Sequence, residues 1–263
     1  MIYAQFLNPS PGVVTNVEFR RAVLHAIDRQ QMVDALLFGR ASVAHVYLGP
    51  NEAAYKDVAS SIVRYDYAPR RAALLFDRLG YTRGADGLLR DSQGQRLNVE
   101  IRSEPLETEQ KALFASTDFL QQAGVGVEPV VIPRQRTADL EYRYTFPGLY
   151  LRGHASSLRT LIQFHGSQSP LPENRWSGNN RGRYVNAEID AIIDRYFVTI
   201  PLEERSQVLR QMIHHLTDQV PVMPLFFSTE FTVIANRVQN VIATKAASGA
   251  AKTWNSYLWD VRT

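Results

Sequence analysis

The residue types that act in catalysis and metal binding are present in this chain, but few have the spacing that such chemistry requires. His214 and His215 are adjacent, whereas two metal ligands on one helix face are four residues apart. Asp190 and Asp194 have the four-residue spacing, but their charged neighbours favour an ordinary solvated helix face over a cation site. We therefore predict no resident metal ion.

Motifs for nucleophilic or nucleotide chemistry are also missing from the sequence. Ser156-Ser157 and Ser248-Gly249 lie in no Gly-x-Ser-x-Gly context. There is no phosphate-binding loop, no Gly-x-Gly-x-x-Gly and no His-Glu-x-x-His. With no cysteine, disulfides, thiolate metal sites and a cysteine nucleophile are excluded. The sequence predicts neither an enzyme nor a bound cofactor.

Composition indicates a globular chain with one large or two small domains. It has 263 residues, of which 45% are hydrophobic and 21% charged, and a net charge of +3. Basic residues are scattered rather than gathered in a stripe with aromatics, so we predict no nucleic-acid partner. No segment has the ~18 apolar residues of a membrane span. No N-terminal stretch has the zones of a signal peptide, so we expect the chain to lack one of its own.

Two tandem helices are predicted near the N-terminus. Thr15 and Glu18 have capping-box spacing, and the apolar residues that follow fall on one helical face. Asp28 repeats the start signal, and Gly39 marks the end of the second helix.

The middle of the chain predicts a parallel crossover. Apolar residues alternate over 97–101, a helical stretch covers about 107–123, and valines recur over 125–131. Strand, helix and strand in this order favour a parallel strand pair. The segment 139–172 is expected to hold a strand and a long loop, with its aromatic residues either on a buried strand or on a ligand platform.

Three segments carry a resemblance to a known family: 15–33, 69–97 and 179–193. The first resembles the segment "valine–arginine–arginine–alanine–leucine … alanine–isoleucine–aspartate–arginine" that opens the second lobe of family 5 extracellular solute-binding proteins. The second contains the "glycine–alanine–aspartate–glycine" block, and the third the "glycine–arginine–tyrosine" turn and helix. That family comprises the peptide- and nickel-binding receptors of ABC importers.

The resemblance implies an α/β fold: one lobe of a cluster C (type II-like) periplasmic binding protein, with a mixed sheet flanked by helices. It covers about residues 2–245 and only the second half of a family member. Residues 1–228 are expected to form the second, C-terminal lobe. Residues 229–263 are expected to be a hinge-crossing tail that in relatives packs on the first lobe, which this chain lacks.

The resemblance also directs attention to the loop Arg152-Gly153-His154-Ala155-Ser156. In peptide-binding relatives the equivalent loop carries a tryptophan and an aspartate, and neither occurs here between Leu149 and Gln163. If this loop faces the cleft, Arg152 and His154 favour an anionic or neutral polar ligand. The alternatives are that Arg152 is a surface residue beside a turn, or that His154 and His165 bind nickel. The candidate ligand-binding residues are Arg152, His154, Ser156, Trp176, Tyr150, Tyr47 and Asn8.

The implied function is capture of a small, peptide-like or other polar solute between two lobes, for delivery to an ABC permease. The parent protein would then be periplasmic or extracellular. A ligand-sensing domain of a transcriptional regulator with the same fold is the alternative. The apolar residues of the tail, which predict contact with the missing lobe or self-association, are Phe231, Val233, Val238, Val241, Trp254, Tyr257, Leu258 and Trp259.

Overall fold

The computed structural model describes residues 1–228, 233–242 and 253–262. The helices of this part are α1 Val17–Ala26, α2 Arg29–Leu37, α3 Tyr55–Val58, α4 Pro69–Arg78, α5 Glu107–Gln122, α6 Leu140–Tyr144, α7 Ala187–Val198 and α8 Leu202–Gln219. Its strands are β1 Ile2–Ala4, β2 Ser42–Val43, β3 Thr82–Arg83, β4 Leu89–Arg90, β5 Asn98–Ser103, β6 Gly126–Val131, β7 Leu149–Leu151, β8 Val222–Met223, β9 Phe226–Phe227, β10 Val238–Gln239 and β11 Asp260–Val261. The α/β class predicted from the sequence is confirmed.

A mixed five-stranded sheet has the order β6-β5-β7-β1-β8. β5 is parallel to both β6 and β7, and α5 carries the crossover between β5 and β6, as predicted. β1 is antiparallel to β7 and β8. Ser103 therefore pairs with Leu151, and Leu151 with Ile2. The ends of β5 and β7 meet the start of β1 at one border of the sheet, which we call the carboxyl edge.

Alternation along the strands separates two environments. Ile2 and Ala4 of β1 pack in a large apolar cluster with α1, α4 and α5, whereas Tyr3 points to the other face. Tyr150 of β7 lies on that same other face, beside Phe146. A further cluster joins α7 and α8 to the loops near residues 46–48 and 161–164.

Asn16, rather than the predicted Thr15, caps α1. The Asn16 side chain accepts a hydrogen bond from the Glu18 amide at 2.9 Å. Thr15 ends a preceding 3₁₀ turn, and its hydroxyl donates to the Gly12 carbonyl instead. Asp28 caps α2 as predicted.

The aromatic run in 139–172 is not one strand. Asp139 caps α6, which contains Tyr142 and Tyr144, and only Tyr150 lies in a strand. Asp139 starts a helix at the point where the alternating aromatic residues suggested a strand. Tyr142 and Tyr144 therefore do not share a strand face with Tyr150.

Near the C-terminus, Pro224 separates β8, which pairs with β1, from β9, which pairs with β2. In the tail, β10 pairs with β11, and the buried Asn255 donates to the Asn240 carbonyl at 2.7 Å. Phe231 and Ser248-Gly249 lie outside the described residues.

Candidate functional site

The carboxyl edge of the sheet carries a buried carboxylate bound by two arginines. Glu104 follows β5, is 6% exposed, and its Oε1 lies 2.5 Å from Arg152 Nη1 and 2.8 Å from Arg143 Nη2. The Tyr150 hydroxyl donates to the same oxygen. Burial, and then the adjacent Glu104 carboxylate, raise the pKa of Tyr150 to about 12. Arg152 thus has a carboxylate partner within the chain, which removes the basis for expecting it to attract an anionic solute.

A second buried carboxylate holds the start of the loop after β7. Glu109 of α5 accepts a hydrogen bond from the Gly153 amide at 2.8 Å. Burial raises the pKa of Glu109, while the Gly153 N–H and the nearby Arg152 oppose that change. The Glu109 Oε2 is buried and has no hydrogen-bond partner among the described residues.

Tyr47 and His154 form the centre of the candidate face. The Tyr47 hydroxyl lies 2.7 Å from His154 Nδ1 and 2.9 Å from Thr160 Oγ1, and it also contacts the Ala155 carbonyl. The Tyr47 ring packs edge-on against Phe164, with centroids 5.0 Å apart. This arrangement joins the loop before α3 to the loop after β7.

Burial, with smaller contributions from the nearby Arg181 and Arg152, lowers the pKa of His154 to about 4, and the hydrogen bond to the Ala155 carbonyl opposes this change. At neutral pH the imidazole is therefore uncharged. A neutral imidazole beside a tyrosine hydroxyl forms a polar wall with an apolar ring surface, which suits a neutral polar group better than a charged one.

Ser156 has a structural contact rather than a free hydroxyl. Its Oγ donates to the Tyr47 carbonyl at 2.6 Å, and the residue is buried. Ser157 and Thr160 form a capping box at the start of the 3₁₀ helix Leu158–Phe164. Together these bonds fix the loop that carries His154.

Asn8 and Trp176 do not join this group. Because β1 and β7 are antiparallel, the Arg152 amide bonds to Met1, while the Ser10 amide bonds to Pro147. Asn8, exposed and in the left-handed region at φ 58°, therefore lies toward the opposite end of β7. Trp176 is half-buried in a turn at φ 59°, and its indole makes no hydrogen bond or ring contact within the described residues. A ligand role for either residue stays a prediction.

Other residues at this face were not singled out by the sequence: Glu104, Glu109, Arg143, Gln163 and Arg181. Glu104 had an available signal, because it directly follows a buried strand in a crossover unit, where ligand-binding groups tend to collect. The others come from a helix interior or from irregular turns, where spacing carries no such signal.

Within the described ranges, no three His, Asp or Glu side chains are grouped closely enough to hold a metal ion. The two histidines considered for nickel have separate partners, since His154 contacts Tyr47 whereas His165 Nε2 lies 3.4 Å from Asp194. No described helix combines the length and apolar character needed to cross a membrane.

The family follows from a match over residues 1–158 to the family model described as bacterial extracellular solute-binding proteins, family 5 middle. That match covers more than half of the 263 residues. The chain belongs to this family. The resemblance carried by segments 15–33 and 69–97 is thereby confirmed.

Curated relatives of this family 5 chain are longer than it is. It is 25% identical over 244 residues to heme-binding protein A of Haemophilus influenzae, an alignment covering 89% of this chain and 41% of that protein. It is 20% identical over 235 residues to the dipeptide-binding protein of Pseudomonas aeruginosa, covering 84% of this chain and 39% of that one. The chain spans about two fifths of these relatives.

Solved structures give the same picture of the fold. The oligopeptide-binding protein AppA from Bacillus subtilis, in complex with a nonapeptide, matches with a TM-score of 0.79 at 16% identity; the match covers 100% of this chain and 50% of AppA. NikZ from Campylobacter jejuni, in complex with Ni(L-His), matches with a TM-score of 0.77 at 21% identity, covering 98% of this chain and 51% of NikZ. The predicted fold is confirmed as part of a periplasmic binding protein.

Proposed function

We propose that this chain supplies one of the two walls that enclose a small solute in the receptor of an ABC importer. The observation that carries this proposal is that the whole chain superimposes on half of a solute-binding protein. Closure of two lobes around a ligand is the way such hinged proteins bind. On this view residues 1–228 are the second lobe, and a first lobe outside the 263 residues provides the other wall.

A peptide-like or other small polar solute fits the candidate face best. Tyr47, His154 and Thr160 offer donors and acceptors without net charge, since the imidazole is neutral at pH 7. The relatives named above include a dipeptide-binding protein and a nonapeptide complex, but also a heme-binding protein and a nickel–histidine complex. The polar, uncharged character of this chain's own wall favours the peptide class.

Calorimetric titration with di- to pentapeptides tests the proposal. We expect the isolated chain to bind weakly or not at all, because a single wall leaves most of the ligand's surface in water. The same lobe joined to its first lobe should bind at least ~10-fold more tightly. The Tyr47→Phe variant of the two-lobed protein should bind less tightly, while Tyr67→Phe, a change at an exposed tyrosine beside Phe119 and away from the candidate face, should not alter binding. Sub-micromolar affinity in the isolated chain would contradict the single-wall proposal.

The tail 229–263 would contact the first lobe. Val233 is 97% exposed and Tyr257 is 78% exposed, and apolar surface of this kind marks interfaces. In the isolated chain the same surface would promote self-association. Light scattering is expected to detect dimers that dissociate when Val233 and Tyr257 are changed to serine. A strict monomer at all concentrations would rule self-association out.

The importer receptor is preferred to the regulator alternative because none of the relatives reported above is described as a regulator. The family is described as bacterial extracellular solute-binding proteins, which supports a periplasmic or extracellular location for the parent protein. Turnover of peptides by the chain is not expected, and a peptidase assay checks this.

A further inference from the structure

Glu109 is a buried carboxylate of α5 that bonds to the backbone beside His154. It is 9% exposed, and its Oε1 accepts a hydrogen bond from the Gly153 amide at 2.8 Å. Its Oε2 is buried and has no hydrogen-bond partner among the described residues. A buried carboxylate with one unsatisfied oxygen lowers the stability of a fold, so its presence calls for a reason other than stability.

The charged groups around Glu109 do not provide that reason. Arg152 lies nearby, but its Nη1 is 2.5 Å from Glu104. The other charged groups that act on Glu109 are the Glu104 carboxylate and the Met1 ammonium. Within the described residues Glu109 forms no ion pair, so the bond to Gly153 is the direct contact through which it acts on the loop.

The helix that carries Glu109 has a fixed position. α5 buries Ala112, Leu113 and Leu120 in the apolar cluster that packs on one face of the sheet. Glu109 lies in the first turn of this helix, a few residues after the end of β5. A polar group on a packed helix is held more precisely than one on a loop.

The loop leaves the sheet at Gly153. The Arg152 amide still bonds to the Met1 carbonyl at 3.0 Å, whereas the next amide, that of Gly153, bonds to Glu109. A Cβ at position 153 would lie 3.2 Å from Glu109 Oε1, which is a tight contact. Glycine therefore lets the carboxylate approach the backbone, and the path of the chain is set one residue before His154.

We propose that Glu109 is a positioning residue for the candidate face, because its hydrogen bond to Gly153 holds His154 against Tyr47. The His154 Nδ1 lies 2.7 Å from the Tyr47 hydroxyl, and a backbone shift of ~1 Å at Gly153 would break this contact. The use of the positioned pair in solute capture rests on the proposed function. The positioning itself does not.

The pKa of His154 reports on this positioning, and the direction of its change separates two effects. Burial is the main reason that this pKa is low, so release of the loop into water should raise it toward 6.5. Loss of the Glu109 charge alone should lower it, because a nearby negative charge favours the protonated imidazole. Positioning and direct electrostatics therefore predict opposite signs.

NMR titration of the histidine imidazole C–H signals in the 263-residue chain tests the proposal, with His154→Asn assigning the signal. Glu109→Met and Glu109→Ala both remove the acceptor, and the first keeps an unbranched side chain of similar length. In both, the pKa of His154 should rise from about 4 to about 5 or above. Glu109→Gln retains an oxygen that can accept from Gly153 and should keep the pKa near 4.

Two controls separate positioning from a general loosening of the fold. Glu107→Met removes an exposed carboxylate from the same helix turn, where it pairs with Lys111, and should leave the pKa of His154 unchanged. His25 of α1, whose pKa burial also lowers, is the internal reference and should titrate in Glu109→Met as in the wild type.

An unchanged or lower His154 pKa in Glu109→Met and Glu109→Ala would overturn the proposal. A rise of the same size in Glu109→Gln, or a rise at His25 together with His154, would overturn it as well. The titration uses no solute. Failure of the two-lobed protein to bind peptides would therefore count against the proposed function and leave the positioning role intact.

Discussion

Tyr47 and His154 are 107 residues apart in the chain, yet the Tyr47 hydroxyl lies 2.7 Å from His154 Nδ1. The contact fixes the relative position of two loops at the candidate face. The imidazole of His154 is half-buried there, so its protonation state is coupled to folding.

The His154 contact predicts a loss of stability in acid. Burial lowers the pKa of His154 from 6.5 to about 4, so between these values the unfolded chain binds a proton that the folded chain excludes. The stabilisation is complete above pH 6.5 and is lost as the pH falls toward 4. In His154→Asn, urea unfolding should show a smaller decrease in free energy between pH 7 and pH 4.5 than in the wild type.

His45, whose pKa burial also lowers to about 4, leaves part of the acid sensitivity in place. The exposed His214→Asn serves as the control and should retain the wild-type pH dependence. Equal pH dependence in His154→Asn and the wild type would show that the imidazole is not excluded from protonation in the folded state.

Replacing one carboxylate oxygen of Glu104 by an amide nitrogen should strongly lower the free energy of unfolding. Glu104→Gln keeps the size of the side chain but leaves Arg152 and Arg143 without their shared anion. Breaking a buried ion pair from one side costs about 3 kcal/mol in the free energy of unfolding. Glu107→Gln, which removes an exposed pair with Lys111, should have a much smaller effect on the free energy of unfolding. Chemical denaturation measures both, and equal small effects would mean that Arg152 does not depend on Glu104.

Adjacent arginines of the first helix should differ in importance. The Arg20 guanidinium is buried and donates to the carbonyls of Val220 at 2.7 Å and Gln219 at 2.7 Å, at the end of α8, and to Val14 at 3.1 Å. We expect Arg20→Met to lower the free energy of unfolding by about 3 kcal/mol, at about 1 kcal/mol for each hydrogen bond.

Arg21→Met is the matched control. Arg21 is more exposed and pairs with Glu18 and Asp218 at the surface, so its loss should cost about 1 kcal/mol or less. A larger effect for Arg21 than for Arg20 in urea unfolding would reverse this assignment of the two positions.

Removal of the tail should leave the lobe folded. The hydrogen bonds of the described tail residues join them to one another, as in the pairing of Val238 with Val261 and the bond from Trp254 Nε1 to the Ile242 carbonyl. A chain of residues 1–228 should therefore melt cooperatively within ~3 °C of the full chain. Trp176 is then the sole tryptophan, and its fluorescence follows unfolding directly. Loss of a cooperative transition would show that the tail is part of the lobe.

The sequence determined the local structure and the family of this protein. Helix starts such as Asp28 and Asn186, and the crossover of β5, α5 and β6, depend on groups close in the chain, and their spacing specifies them. The cap of α1 shows the limit of such local rules. The Thr15 hydroxyl bonds to the Gly12 carbonyl within a 3₁₀ turn, so Asn16 caps the helix instead.

Only the tertiary structure decided which polar groups meet. Arg152 pairs with Glu104 because β5 and β7 are parallel and end side by side. Asn8 lies far from both residues because β1 runs antiparallel to β7. Arg181 and Arg183 look alike in sequence, and only the chain packed around them satisfies one and leaves the other unpaired. Charge pairing is set by distances across strands and loops far apart in the chain, and residue spacing does not encode those distances.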